Sequence, residues 1–243
     1  MFKFYALVFL LSCSVCLTAQ VDYDFFDIDR QIKKAPKITS GALSPLYDYI
    51  STISQNELEQ VRAIHQWIIV NITYDKEAYK NGKKRINQGT QDILNRQTAI
   101  CWGYAKLFHE MAQQLGVESA VISGYARPLL RDTFALKEAN HTWNAVKIDE
   151  KWYLLDLTWN SSLLDAQDEF KLKYKRDYFL TEPQYFLLNH LPSNPMWQLL
   201  SCPITAEQAK NDSDSLLSLI TNNQCDSSPN SINDFLALDP SER

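Results

Sequence analysis

Between Leu43 and Ile53, apolar residues recur at helical spacing (Leu43, Leu46, Tyr47, Ile50, Ile53), with Pro45 tolerated in a first turn. A second stripe of Leu58, Val61, Ile64, His65, Ile68 and Ile69 predicts a helix to about Asn71, and Ser54-Gln55-Asn56-Glu57 reads as its capping box. The pattern breaks from Tyr74 to Thr90. This polar stretch holds Gly82 and Gly89 and clusters Lys80, Lys83, Lys84 and Arg85, so it reads as a surface loop, either bordering a substrate groove or simply solvated. Asp92-Ile93-Leu94 predicts a short helical turn. A further helix opens at Cys101, is apolar-periodic to Leu115 and stops at Gly116.

Beyond Gly116 the period changes to that of strands. Val117–Tyr125 is a strand candidate, Ala126–Ala139 a loop, and Thr142–Ile148 alternates Trp143 and Ala145 against Val146 and Ile148. Trp152–Trp159 reads as a second strand, joined to the first by a tight turn at Asp149-Glu150. Asp177–Leu200 is aromatic-rich (Tyr178, Phe179, Tyr185, Phe186, Trp197) and is expected to pack on the core. From Asn211 the chain turns to Ser, Asn and Asp, as expected of a flexible or peripheral tail in which Leu216–Ile220 and Phe235–Leu238 could dock as short helices. The organisation that follows is a leader over 1–19, a lead-in and helix over 20–55, a core domain over 56–200 and a tail over 201–243.

Composition narrows the classes without choosing one. The 243 residues carry 24 basic and 29 acidic side chains, a mildly acidic balance that gives no support to a nucleic-acid partner. Met1-Phe2-Lys3, an apolar run from Phe4 to Leu17 and then Thr18-Ala19-Gln20 read as a secretory signal cleaved after Ala19; the run is short for a membrane span. Leu10-Leu11-Ser12-Cys13 offers the alternative of a lipoprotein signal with Cys13 lipidated. An exported, periplasmic or secreted location is therefore expected. Cleavage at Ala19 leaves Cys101, Cys202 and Cys225, an odd number that fits either one Cys202–Cys225 disulfide and one free thiol or three free thiols. Asn71, Asn140, Asn160 and Asn211 begin glycosylation sequons, and a glycan on Asn140 would crowd His141, which favours an exporter that does not glycosylate.

The candidate chemistry centres on Cys101. A thiol at a helix start meets unpaired backbone N–H groups and the positive end of the helix dipole, which favour its thiolate. If Ile148 lies opposite Lys151 across the Asp149-Glu150 turn, Trp143 falls opposite Asp156, and His141 opposite Thr158. His141 and Asp156 then become diagonal neighbours on one face, about 7 Å apart by backbone. A carboxylate there can hold the imidazole in one tautomer, whereas a one-residue slip would place the two on opposite faces. Taken singly, a helical cysteine is ordinarily inert packing and a strand histidine a satisfied structural residue. Taken together with compatible geometry, Cys101, His141 and Asp156 favour a catalytic set that acts through a covalent thioester. Backbone N–H groups at Cys101 or Trp102 are candidate oxyanion donors, with Gln91 and Gln97 considered as side-chain assistants, and Trp102, Gln97 and Trp143 are the oxyanion or substrate candidates. His65 and His109 are expected to pack or cap, and His190, in Asn-His-Leu-Pro, reads as a loop residue, with contact to the site as the lesser alternative. No cysteine–histidine spacing suggests zinc and no phosphate or calcium loop is present, so no metal or cofactor is expected.

Ile100-Cys101-Trp102-Gly103-Tyr104-Ala105, then Gly116, Gly124-Tyr125, His141-Thr142-Trp143-Asn144 and Trp152-Tyr153-Leu154-Leu155-Asp156-Leu157-Thr158-Trp159 together resemble the transglutaminase-like cysteine superfamily from about Leu58 to Trp159. Tyr178-Phe179-Leu180-Thr181-Glu182-Pro183, His190-Leu191-Pro192 and Trp197-Gln198-Leu199-Leu200 resemble its kyphoscoliosis-peptidase-type branch. Ala99 departs from the Gly that many members carry at that place. The resemblance implies an α+β, papain-like transglutaminase core, in which N-terminal helices including the cysteine helix pack on an antiparallel β-sheet. It also implies Cys101 as nucleophile, His141 as base and Asp156 as its orienter. Members include transamidases, peptidases, amidases and non-catalytic scaffolds. The expectation is a cysteine enzyme acting at amide bonds of a protein or peptide substrate, with hydrolysis preferred to crosslinking; a protein-binding module using the same cleft is the alternative. N-terminal sequencing of the exported protein is expected to begin at Gln20, whereas a lipidated Cys13 terminus would identify the lipoprotein route.

Overall fold

The computed structural model describes residues 23–38, 42–81, 89–161, 173 and 177–222. The leader, Cys225 and Phe235–Leu238 lie outside the described residues. Three helices come first: α1 (Phe26–Ile32), α2 (Ser44–Ile53) and α3 (Glu57–Asn71). The cap of α3 differs from the sequence expectation. Asn56, with an extended backbone, is the N-cap and accepts from the Glu59 N–H, while Glu59 reaches back to the Gln55 N–H. Ser54 instead closes α2 as its C-cap.

The stretch expected to be one polar loop contains β1 (Thr73–Tyr74) and α4 (Lys76–Lys80). α5 (Thr90–Arg96) then leads into β2 (Thr98–Ala99), which runs parallel to β1. A two-residue strand carries no periodicity, so only its partner defines it. Hydrogen bonds from Thr73 N–H to the Gln97 carbonyl and from Asp75 N–H to the Ala99 carbonyl clamp Tyr74 beside the segment entering α6 (Cys101–Gln114).

The sheet that follows contains β3 (Ser119–Ala126), β4 (His141–Ile148) and β5 (Lys151–Leu155). Asp149 and Glu150 both have positive φ, 48° and 62°, as a two-residue turn between twisted strands requires. The register is the expected one, from Ile148 opposite Lys151 to Asn144 opposite Leu155. The second strand is shorter than expected: it ends at Leu155 because the Asp156 side chain caps a new helix, α7 (Leu157–Asn160). After α8 (Pro183–Phe186), β6 (His190–Pro192) joins the far edge, giving the antiparallel order β5-β4-β3-β6. α9 (Ser213–Asn222) completes the described chain.

The alternation in β4 divides two cores. Val146 and Ile148, with Leu155, face the layer of α1, α2, α3 and α6. Trp143 and Ala145 face an aromatic layer of Trp152, Trp159, Tyr178, Phe186 and Trp197. The segments expected to be lead-in and tail share these cores: Ile28 and Ile32 enter the first, and Ile204, Leu216 and Ile220 the second. Cys202 is buried and disulfide-bonded. Asn144, fully buried, donates from Nδ2 to the Ala105 and Ala120 carbonyls, so it fixes α6 against the sheet.

Gly124 is the tightest point of this arrangement. It sits between His141 on β4 and Pro192 on β6, and a Cβ there would lie 2.3 Å from the Leu191 carbonyl oxygen and 2.4 Å from the Trp143 ring. Gly124→Ala is therefore expected to cost about 3 kcal/mol through overpacking, read as a lower denaturant midpoint at unchanged slope. A shift worth less than about 1 kcal/mol would mean that β6 separates freely from β3.

Candidate active site

α6 begins at Cys101, and no side chain on Ile100 caps its first turn. The orphan N–H groups of that turn are left for other acceptors, and the Trp102 N–H donates to the Cys101 sulfur. Cys101 is a part-buried free thiol. Burial opposes its ionisation and so does Asp156, but the hydrogen bond and charge of His141, helped by Trp102, outweigh both and hold its pKa below the usual 9.0.

His141 occupies the first position of β4, with Nε2 2.6 Å from Asp156 Oδ2. Its Nδ1 is left for the hydrogen bond to Cys101. Burial disfavours the imidazolium. The Asp156 charge and hydrogen bond, with a further contribution from Cys101, overcome that and raise the pKa well above the usual 6.5. Asp156 is fully buried, and its Oδ1 accepts the Thr158 and Trp159 N–H groups at 2.8 and 3.2 Å. Burial alone would raise its pKa, but His141 and then His190 pull it far below the carboxylate range. The three groups form one hydrogen-bonded series from Cys101 through His141 to Asp156.

A cleft of about 490 Å³ opens over this series. Tyr74, Tyr79 and Trp159 form aromatic walls, Lys76 and Lys80 from α4 supply positive charge, and Asn140 and His141 line it with Cys101. The cysteine at a helix start and the histidine on a strand stand where the sequence reading put them, whereas Asp156, expected within the second strand, instead caps α7. Residues 45–157 match the transglutaminase-like superfamily. The chain belongs to that superfamily.

Within it, the chain falls in the kyphoscoliosis-peptidase branch. It is 38% identical over 175 residues to the mouse kyphoscoliosis peptidase, covering 69% of this chain and 26% of that protein. The human kyphoscoliosis peptidase is also 38% identical, over 178 residues, covering 70% of this chain and 27% of its own length. The chain thus spans about a quarter of these relatives. The crystal structure of a TGase aligns with 62% of this chain and 36% of its own at 19% identity, with a TM-score of 0.39.

The other candidates of this transglutaminase-like domain scatter. Trp102 is at the helix start, 37% exposed and with its N–H on Cys101. Trp143 is buried beneath the site and packs on His141, Phe186 and His190 rather than lining the cleft. Gln97 lines a separate cavity with Trp67, Asn71 and Leu94, because it ends α5 in a left-handed conformation (φ 53°) that directs the chain into β2. Gln91 pairs with exposed Asn95 on α5. His65 packs on Phe179, and His109 bonds Ser119.

Tyr74 and His190 were not among the site residues expected from the sequence. Tyr74 lines the cleft beside Cys101, and its hydroxyl is held protonated well above 10.0 by burial first and by the Cys101 charge second. His190 is a fully buried β6 residue, with Nε2 2.9 Å from Asp156 Oδ2. Its place beside Asp156 depends on β6 pairing with β3, which no local pattern announces. The ligand-type atoms of His141, Asp156 and His190 lie within 4.8 Å of one another. The two nitrogen–oxygen distances are those of hydrogen bonds.

At pH 6 an ordinary cysteine is less than about 1% thiolate. Cys101 is expected to react with iodoacetamide at that pH at least about tenfold faster than the same thiol in the unfolded chain. His141→Ala leaves burial opposed only by the Trp102 N–H, so the pKa of Cys101 rises and the rate at pH 6 falls about tenfold or more. A rate insensitive to His141→Ala would separate the two residues functionally.

Proposed function

We propose that the chain is an exported cysteine enzyme that cleaves amide bonds in protein or peptide substrates through a Cys101 thioester. The observation that carries this reading is the hydrogen-bonded series Cys101–His141–Asp156 at the floor of a cleft large enough for an extended peptide segment. The Cys101 thiolate attacks the amide carbonyl carbon, and the carbonyl π electrons move to oxygen. That oxyanion meets first-turn N–H groups of α6 and the Tyr74 hydroxyl, which its raised pKa keeps as a donor. As the C–N bond breaks, the His141 imidazolium gives its Nδ1 proton to the departing amine, leaving a thioester on Cys101 and a neutral imidazole. Water then gives a proton to His141 and attacks the thioester; the C–S bond breaks, releasing carboxylic acid and restoring the thiolate–imidazolium pair. Asp156 stays ionised throughout, holding the tautomer and offsetting the imidazolium charge.

Hydrolysis is preferred to crosslinking because water is the default acceptor. Export rests on the leader-like N-terminus. A compartment without N-glycosylation is supported by Asn140, which lines the cleft beside His141. Among the described residues, no helix is long and apolar enough to cross a membrane.

The test is a trap with mixed glutamine-containing peptides and primary amines, analysed by mass spectrometry for the wild type, Cys101→Ala and Tyr74→Phe. Hydrolysed peptide, a thioester adduct on Cys101 and loss of both in Cys101→Ala are expected. Amine-linked peptide as the main product would replace hydrolysis with transamidation. Absence of both products and adduct would leave a binding module. Tyr74→Phe is expected to lower kcat about 100-fold with KM little changed, as for the loss of one oxyanion donor.

A further inference from the structure

Asp156 Oδ2 has two imidazoles on it, and the proposed mechanism uses only one. His141 Nε2 approaches at 2.6 Å and His190 Nε2 at 2.9 Å, while Oδ1 holds the Thr158 and Trp159 N–H groups. Four donors on four lone-pair sites leave the carboxylate no freedom to rotate and no site for a proton. His190 is fully buried, with the rings of Trp143, Trp159, Tyr178 and Phe186 at centroid distances of 5.1, 4.4, 5.5 and 4.3 Å. That enclosure is far more than a loop histidine needs.

The protonation of His190 follows from its neighbours. The titratable groups facing it are Asp156, His141 with ring centroid 5.4 Å away, and Tyr178 across Asn189. Arg127, directly after β3, gives its guanidinium to the carbonyls of Leu188, Asp132 and Asn211. Burial first, and then the His141 charge, disfavour a second imidazolium and hold the His190 pKa down at about 4 despite the pull of Asp156. A neutral ring beside a carboxylate must place its single N–H on Nε2. Its Nδ1 then has to accept. Nδ1 lies 2.7 Å from Asn189 Oδ1, and Asn189 Nδ2 lies 3.0 Å from the Tyr178 hydroxyl. Half a turn of the Asn189 amide exchanges those two atoms and makes every contact a donor–acceptor pair. Tyr178 O–H then donates to Asn189 Oδ1, Asn189 Nδ2–H to His190 Nδ1, and His190 Nε2–H to Asp156 Oδ2.

We propose that His190 is a positioning residue for the Cys101–His141 pair: its neutral imidazole donates Nε2–H to the Asp156 oxygen that His141 also binds, locking the carboxylate and dividing its charge between two donors. The proposal rests on Cys101 and His141 acting as a pair. Its consequence is that His141 meets a tempered carboxylate, so the imidazolium gives up its proton to a leaving group more readily than it would beside an undivided charge.

The variants are His190→Leu, which removes the donor, and His190→Gln, whose Nε2 amide can replace it without titrating. In His190→Leu the imidazolium of His141, followed by side-chain NMR, is expected to titrate about one pH unit higher, and kcat/KM on a cleaved peptide to fall about tenfold. His190→Gln is expected to restore both. An unshifted His141 titration in His190→Leu, or a His190→Gln variant no better than His190→Leu, would reduce His190 to packing. Should His190→Leu fail to fold, the side-chain ¹⁵N spectrum of the wild type decides: a neutral Nε2–H tautomer from pH 5 to 8 supports the proposal, and an Nδ1–H tautomer or an imidazolium overturns it. These NMR readouts need no turnover, so a chain that cleaves nothing yet shows the His141 shift would refute the amide-cleaving reading while leaving this one standing.

Discussion

Asp156 carries its negative charge at a fully buried position, which is stable only when every lone pair has a donor. The surrounding structure is arranged to meet that demand. The chain leaves β5 at Asp156 so that Oδ1 can cap α7, while Oδ2 faces the two histidines arriving on β4 and β6. The Asp156 N–H is itself spent on the Tyr178 carbonyl, which draws in the aromatic segment behind the site. One carboxylate thus organises a helix start, two strands and a distant loop.

The rest of the fold brings Cys101 to that fixed point. Asn144 ties α6 to the sheet through the Ala105 and Ala120 carbonyls, and the Tyr104 hydroxyl donates to the Ile72 carbonyl at 2.6 Å, tying the same helix to the end of α3. The bonds to the Ala105 and Ile72 carbonyls are buried, and all three end on main-chain atoms, so α6 has little freedom to slide. A thiol placed by such a helix gains its reactivity from His141 more than from the helix start, because burial works against the thiolate and the histidine outweighs it.

The cleft above the thiol is made of different material. Tyr74, Tyr79, Lys76 and Lys80 come from the short β1–α4 excursion, and Trp159 from the helix that Asp156 caps. The cleft walls therefore sit on small elements pinned at their ends, whereas Cys101 and His141 sit on the long helix and the sheet. Such a division lets the walls vary while the geometry of Cys101, His141 and Asp156 stays fixed.

Local chemistry made much of this legible in the sequence. Helical and strand periods located α2, α3, α6, β3 and β4, since burial of one face imposes a period on the residues. The Asp149-Glu150 turn fixed the β4–β5 register, and with it the face shared by His141 and Asp156, because a two-residue turn permits one pairing. Other features depended on partners far along the chain. Tyr74 acquires its place from a parallel pair too short to have a period, and Gln97 loses its expected one to a left-handed helix end. His190 is buried against Asp156 only because β6 pairs with β3 across the close approach at Gly124. The sequence by itself determined the longer elements and the β4–β5 pairing, which local sterics and burial control. The tertiary structure alone decided which distant donors would surround the buried carboxylate, because that choice depends on how the layers close.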